Sequence, residues 1–155
     1  MRFTIFQDSR QGDREGNEDR VGYSYSRDVL LMVTADGMGG HAQGEVAAAT
    51  AGTEITRLFQ QEARNKLRRP SDFLVSVMLA AHRAIVSHAV AENLLESPRT
   101  TCVVCIVQDG SAWWAHSGDS RLYVLRGGKL AAATQDHSRV QQMVDVPTWL
   151  GAYEK

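Results

Sequence analysis

The chain reads as an α+β protein with helices packed on antiparallel sheet, because its patterns come in blocks rather than alternating. Short apolar runs bounded by turn residues fill positions 1–36. An Ala-rich stretch with helical period follows over 42–92, and two glycine-bearing hairpin signals come after position 100.

Residues 3–7 alternate weakly and are expected to form a first strand. A polar, glycine-punctuated stretch covers 8–16. Residues 19–26 then read as a second strand, and 29–35, nearly all apolar, as a buried one, with Asp28 at the turn between them. The period changes at Asp36-Gly37-Met38-Gly39-Gly40. A helix is expected over 42–65, where Val46, Ala49, Ile55, Leu58 and Phe59 fall near helical spacing. Pro70 is expected to end that segment, and Ser71 to cap a second helix running from Asp72 toward Glu92. On that helix Phe73, Val77, Ala80, Ala81, Ala84, Ile85 and His88 share one face. His82 and His88 are isolated and read as helix side chains rather than ligands.

After Ser97-Pro98 the chain turns β-rich. Residues 100–108, Asp109-Gly110 and 111–117 make a hairpin, since Asp-Gly accepts the positive φ of a type I′ turn. Residues 123–126, Gly127-Gly128 and 129–134 make another. With 155 residues and no repeat, linker or low-complexity segment, a single domain over 1–155 is expected.

Composition narrows the class. A net charge of −1 gives nothing that favours nucleic acid or an anionic membrane. The basic Lys66-Leu67-Arg68-Arg69 stops at Pro70 and reads as a solvated helix end. No run approaches the roughly 18 consecutive apolar residues that span a bilayer. The first eight residues lack the apolar core of a signal peptide, so the expected location is the cytoplasm. Cys102 and Cys105 have CxxC spacing, but they sit in a β-branched run. Residues three apart in a strand point to opposite faces, so both read as buried core thiols.

The chemistry lies in acidic clusters at the ends of strands. In Arg14-Glu15-Gly16-Asn17-Glu18-Asp19, the planar fork of Arg14 suits a phosphoryl group standing opposite a metal held by Asp19. Asp36 ends a buried strand, and the glycines after it let the backbone turn sharply. Its carboxylate and the Gly37 carbonyl suit Mg²⁺ or Mn²⁺, the alternative being an Asx-type turn that caps the next helix. A phosphate-binding P-loop fits poorly, because no Lys-Ser or Lys-Thr follows, and the dinucleotide-binding glycine spacing is absent. Asp119, in Gly118-Asp119-Ser120-Arg121, sits where two strands meet. In Thr134-Gln135-Asp136-His137-Ser138, Asp136 or Ser138 reads as a helix cap. Carboxylates gathered at one rim repel unless a cation neutralises them, so the pattern asks for a hard divalent ion.

Taken in order, these segments resemble the metal-dependent type 2C (PPM) Ser/Thr protein phosphatases in their compact bacterial form. The matches are Arg14, Asn17-Glu18-Asp19, Ala35-Asp36-Gly37-Met38-Gly39-Gly40-His41, Thr100-Thr101, Gly118-Asp119-Ser120-Arg121-Leu122-Tyr123 and Thr134-Gln135-Asp136-His137-Ser138. The resemblance implies a four-layer α-β-β-α sandwich of two antiparallel sheets flanked by helices, with two or three Mn²⁺ or Mg²⁺ ions at one end. It implies Asp19 and Asp36 as metal-binding carboxylates, the Gly37 carbonyl as a further ligand, and Glu18 acting through water. Asp119 matches an additional, weaker metal site, and Arg14 would hold the substrate phosphate. The implied reaction is direct hydrolysis of phosphoserine and phosphothreonine in proteins by a metal-bridging hydroxide, opposing a Ser/Thr kinase in bacterial signalling. Some family members carry a His after the Asp-Gly as a candidate acid. Here Met38 stands there, and His41 is expected to help order the glycine loop instead.

Complete members of the family continue well beyond the Asp-His-Ser segment, with further strands and helices and two more metal-binding aspartates in Asp-Gly and Asp-Asn contexts. Residues 144–155 contain neither context, and neither Asp145 nor Glu154 is assigned to the site. The resemblance therefore implies a sandwich incomplete at the C-terminus, with open edges and apolar faces that Trp149, Leu150 and Tyr153 are available to cover in part. The alternative function is a truncated, catalytically impaired module that binds phosphorylated protein partners.

Overall fold

An apolar run with a charged end and a helix of small residues dictate the architecture. The computed structural model describes residues 1–38 and 43–137, and the backbone of 150–153. Its elements are β1 (Asp19–Tyr25), β2 (Val29–Asp36), α1 (Gly44–Glu62), α2 (Pro70–Ala91), β3 (Cys102–Gln108), β4 (Ser111–Ser117), β5 (Tyr123–Arg126), β6 (Lys129–Ala133) and β7 (Leu150–Tyr153). Two antiparallel sheets result: one in the order β1-β2-β3-β4-β7, the other the β5-β6 hairpin.

The two helices lie against the larger sheet, α1 on β1 and β2, α2 on α1 and β4. Alternation decides which side chains meet them. Val29, Leu31 and Val33 of β2, with Cys102, Val104 and Ile106 of β3, share a core with Ile55 and Phe59 of α1 and Phe73, Leu74 and Val77 of α2. Phe59 and Phe73 meet edge to face at 6.2 Å. Cys105 is also buried but falls on the opposite sheet face from Cys102, and burial pushes both thiols up to about 12. An 18-residue window of α2 has a mean hydropathy of 1.6, long and apolar enough to cross a membrane by length and composition, yet this helix supplies Phe73, Leu74, Val77 and Ala81 to the core.

Several boundaries differ from expectation. Residues 3–7 form no ladder. Alternation marks a face, whereas a strand also needs a backbone partner, and here Phe3 only sets its ring against Tyr25 at 5.4 Å. Helix α1 stops at Glu62, because Ala63 leaves helical geometry and the chain beyond is captured elsewhere. Buried Gln108 accepts from the Leu67 N–H at 2.8 Å and donates to the Leu67 carbonyl at 3.0 Å. Pro70 does not close α1; it opens α2 at the first helical position, where its missing N–H costs nothing. The N-cap is therefore Arg69 rather than Ser71, and Arg69 pairs with Asp72 at 2.9 Å.

Candidate metal centre

Asp36 is the last residue of β2 and lies directly across from Asp19, the first residue of β1. Arg20 and Gly22 line a groove against α1, so Asp19, one residue away in the alternation, faces the other side of the sheet together with Asp36. Beyond the β2–β3 ladder, the Thr101 N–H donates to the Asp36 carbonyl at 2.8 Å, and the Asp36 N–H donates to Thr101 Oγ1 at 3.2 Å. Thr100 Oγ1 donates to the same Asp36 carbonyl at 2.8 Å. Thr101 Oγ1 also shares a 2.6 Å hydrogen bond with Ser120 Oγ, beside Asp119. Two neighbouring threonines thus fix the Asp36 backbone and tie it to the Asp119 turn.

That turn requires its glycine. Gly118 has φ +99°, and an added Cβ would stand 2.7 Å from Thr101 Cγ2. Gly37 is equally constrained: a Cβ there would lie 2.5 Å from the Gly44 carbonyl and 2.9 Å from Glu18 Cβ. Glu18 therefore packs between Gly37 and the first residue of α1. Its Oε2 is buried and finds no hydrogen-bond partner among the described residues.

The Asn17–Asp19 bend is set by side chains. Asn17 Oδ1 accepts from the Asp19 N–H at 3.0 Å, an Asx-type turn, while Asn17 Nδ2 donates to Ser9 Oγ at 2.8 Å. Arg14, Glu18, Asp19, Asp36, Gly37, Thr101 and Asp119 all line one cleft of about 850 Å³. The described residues expected at the site are therefore brought to one place. Gly39, Gly40 and His41 lie outside the described residues, as do Ser138, Asp145, Trp149 and Glu154.

The electrostatics of the cleft are those of crowded acids. Desolvation, then the charge of Asp19 and a hydrogen bond shared with it, then the charges of Asp119 and Glu18 hold the Asp36 carboxyl above its ordinary value of 3.8. Among the described residues no three acidic, His or Cys side chains form a ready-made ion cage. Glu18, Asp19, Asp36 and Asp119 nonetheless crowd one oxygen-rich cleft, and among the described residues the buried Glu18 Oε2 has no partner. An all-oxygen donor set of this kind, with a backbone carbonyl beside it, fits a hard divalent cation.

Sequence reasoning missed the supports. Asp136 gives both oxygens to Arg121 at 2.7 Å, so its carboxylate serves an ion pair, and residues 138–149, to which the expected helix cap refers, lie outside the described residues. His116 donates through Nε2 to the Gln135 carbonyl, 2.7 Å away, and stacks on His137 at 4.2 Å. The His137 N–H reaches the Gly118 carbonyl at 2.9 Å, joining this segment to the Asp119 turn. The Thr100-Thr101 pair offered a signal in its hydroxyls at a strand entry, but the register that uses them does not show in composition.

A family model described as Protein phosphatase 2C matches residues 7–144. The serine/threonine protein phosphatase PstP of Mycobacterium tuberculosis (strain CDC 1551 / Oshkosh) is 37% identical over 132 residues, covering 85% of this chain and 24% of that protein. The serine/threonine phosphatase stp of Listeria innocua serovar 6a is 30% identical over 141 residues, covering 90% of this chain and 56% of that protein. Among solved structures, a bacterial serine phosphatase superposes with a TM-score of 0.79 at 31% identity, over 88% of this chain and 56% of that one. The catalytic domain of PstP in complex with 2 manganese ions gives 0.69 at 35% identity, over 84% of this chain and 54% of that one. The chain spans between a quarter and a little over half the length of these curated relatives.

Proposed function

We propose, because the chain belongs to the protein phosphatase 2C family, that its acidic rim hydrolyses phosphoserine and phosphothreonine in proteins with the help of Mn²⁺ or Mg²⁺. The observation that carries this reading is convergence: Glu18 and Asp19, Asp36, and Asp119, from three separate segments, line one cleft with Arg14 on its wall. Substrates of this kind carry a phosphate that a Ser/Thr kinase must have placed, so the activity would oppose such kinases.

Asp19 and Asp36, with the Gly37 carbonyl, would hold the ions; Glu18 would contribute through water and Asp119 to a weaker position. Bound there, the ions would supply an activated hydroxide as nucleophile and offset charge on the phosphoryl oxygens. Arg14 lines the cleft, and no described residue pairs with its guanidinium. Its fork suits two phosphoryl oxygens at once and would hold the phosphorus in line for attack. Thr101, bonded to both the Asp36 backbone and Ser120, keeps two of the acids in mutual register while the phosphate is bound.

The test is hydrolysis of a phosphothreonine peptide with Mn²⁺, comparing the wild type with Asp36→Asn. Turnover that depends on Mn²⁺ and collapses in the variant is expected. Turnover unchanged by chelator or by the substitution would reject the metal mechanism. Peptide binding that persists in chelator without turnover would favour a binding module instead.

A further inference from the structure

We propose that Arg20 is a positioning residue for the metal-ligating Asn17–Asp19 bend, an inference that rests on the metal-dependent reading above. Arg20 follows the ligand Asp19 but points to the opposite sheet face, where its stem lines a groove of about 450 Å³ between β1 and α1. From there its guanidinium turns back under the bend. Nη1 donates to the Asn17 carbonyl at 3.0 Å and to the Asp19 carbonyl at 2.8 Å. Nη2 stands 3.6 Å from Glu45 Oε1 in the first turn of α1.

One side chain therefore ties together the entry to β1 and the start of α1. Those two pieces also enclose Glu18, whose buried Oε2 lies against Gly44. The position calls for such a tie. Among the described residues β1 is bonded to a strand on one side only, and before Asp19 a single backbone bond, from the Gly37 N–H to the Glu18 carbonyl at 3.3 Å, joins it to that neighbour. Nη1 holds the two carbonyls on either side of Glu18 while Nη2 faces Glu45, a spread of donors that a single ammonium does not reproduce. Groups that orient ligands act on metal affinity without touching the metal.

The sign of the effect separates positioning from simple electrostatics. A guanidinium near a cation site opposes cation binding, so removing its charge alone would tighten Mn²⁺. Loss of positioning does the opposite. The experiment is calorimetric titration of the full chain with Mn²⁺ for the wild type, Arg20→Ala and Arg20→Lys, with thermal unfolding in EDTA measured in parallel.

Arg20→Ala is expected to weaken Mn²⁺ binding about 10- to 100-fold. Arg20→Lys, which keeps the charge but not the fork, is expected to weaken it as well. Should Arg20→Ala not fold, Arg20→Lys decides alone. Affinity equal to or tighter than wild type in a folded variant overturns the proposal. So does weakening no larger than the loss of stability in EDTA accounts for. A wild type that binds no Mn²⁺ removes the metal reading and this proposal with it, which distinguishes that failure from the failure of Arg20 alone.

Discussion

Replacing Asp36 by Asn should change stability in opposite directions with and without a divalent ion. In the metal-free protein Asp36 faces Asp19 across the strand pair, with Asp119 and Glu18 also repelling it. Each such interaction in exposed surroundings is worth about 0.2–1 kcal/mol. Removing the charge from one member of this group should therefore stabilise the folded chain by about 1 kcal/mol, while Asn still offers Asp19 a hydrogen-bond donor. With Mn²⁺ present at about a hundred times its dissociation constant, the wild type gains about 2.7 kcal/mol from binding. The variant, lacking a ligand, gains little. Urea unfolding in EDTA and again in Mn²⁺ reads both arms, and the order of the two proteins should cross. A variant less stable than wild type in EDTA, or one stabilised equally by Mn²⁺, would refute the reasoning. The pH dependence agrees in sign. A carboxyl whose folded value is raised takes up its proton first in the folded state, so the metal-free wild type should gain stability as the pH falls toward the ordinary carboxylate range.

Three further outcomes follow from particular contacts. Gln108→Ala leaves the N–H and the carbonyl of Leu67 without their partners in a buried place, and should cost about 2–5 kcal/mol in urea unfolding. Gly118→Ala forces a side chain into φ +99° against Thr101 and should cost about 1–3 kcal/mol, read as a lower unfolding midpoint. Burial, foremost, lowers the His116 value from 6.5 despite the Gln135 carbonyl and Asp136, with His137 lowering it further. The unfolded chain then protonates first, so stability is full above 6.5 and falls as the pH drops toward the folded value. His116→Gln should flatten that part of a pH–stability profile, and an unchanged profile would contradict the assignment.

The hairpins were legible because their turns are dictated by local chemistry. Asp109 and Gly110 adopt φ of 53° and 78°, and Gly127 and Gly128 adopt 56° and 74°, the doubly positive pattern that Asp-Gly and Gly-Gly permit. The acids of the candidate site were legible because each stands at one end of a run that had to be a strand. The supports were not. Thr101 fixes Asp36 across 65 residues, and Gln108 holds Leu67 across 41, and no local pattern announces a partner at that distance. The unformed strand at residues 3–7 shows the same gap from the other side, since pattern proposes a face and only long-range pairing makes a ladder.

These supports divide the site into halves that should respond differently. Asp36 and Asp119 stand at the ends of inner strands, where Thr101 bonds to the backbone of one and to the neighbour of the other. Damage there strains the ladder that also carries the core, so affinity and fold should fail together. Glu18 and Asp19 enter an outer strand through a bend held by Asn17 and Arg20 side chains. That half contributes nothing to the core of Leu31, Val104, Ile55 and Leu74. Loss of metal affinity without loss of fold should therefore map to the outer strand and the start of α1, which touches the same bend through Gly44 and Glu45. An ion held by both halves would join a wall packed on the core to one held by side chains, so the proposed phosphatase geometry would be decided at the outer strand.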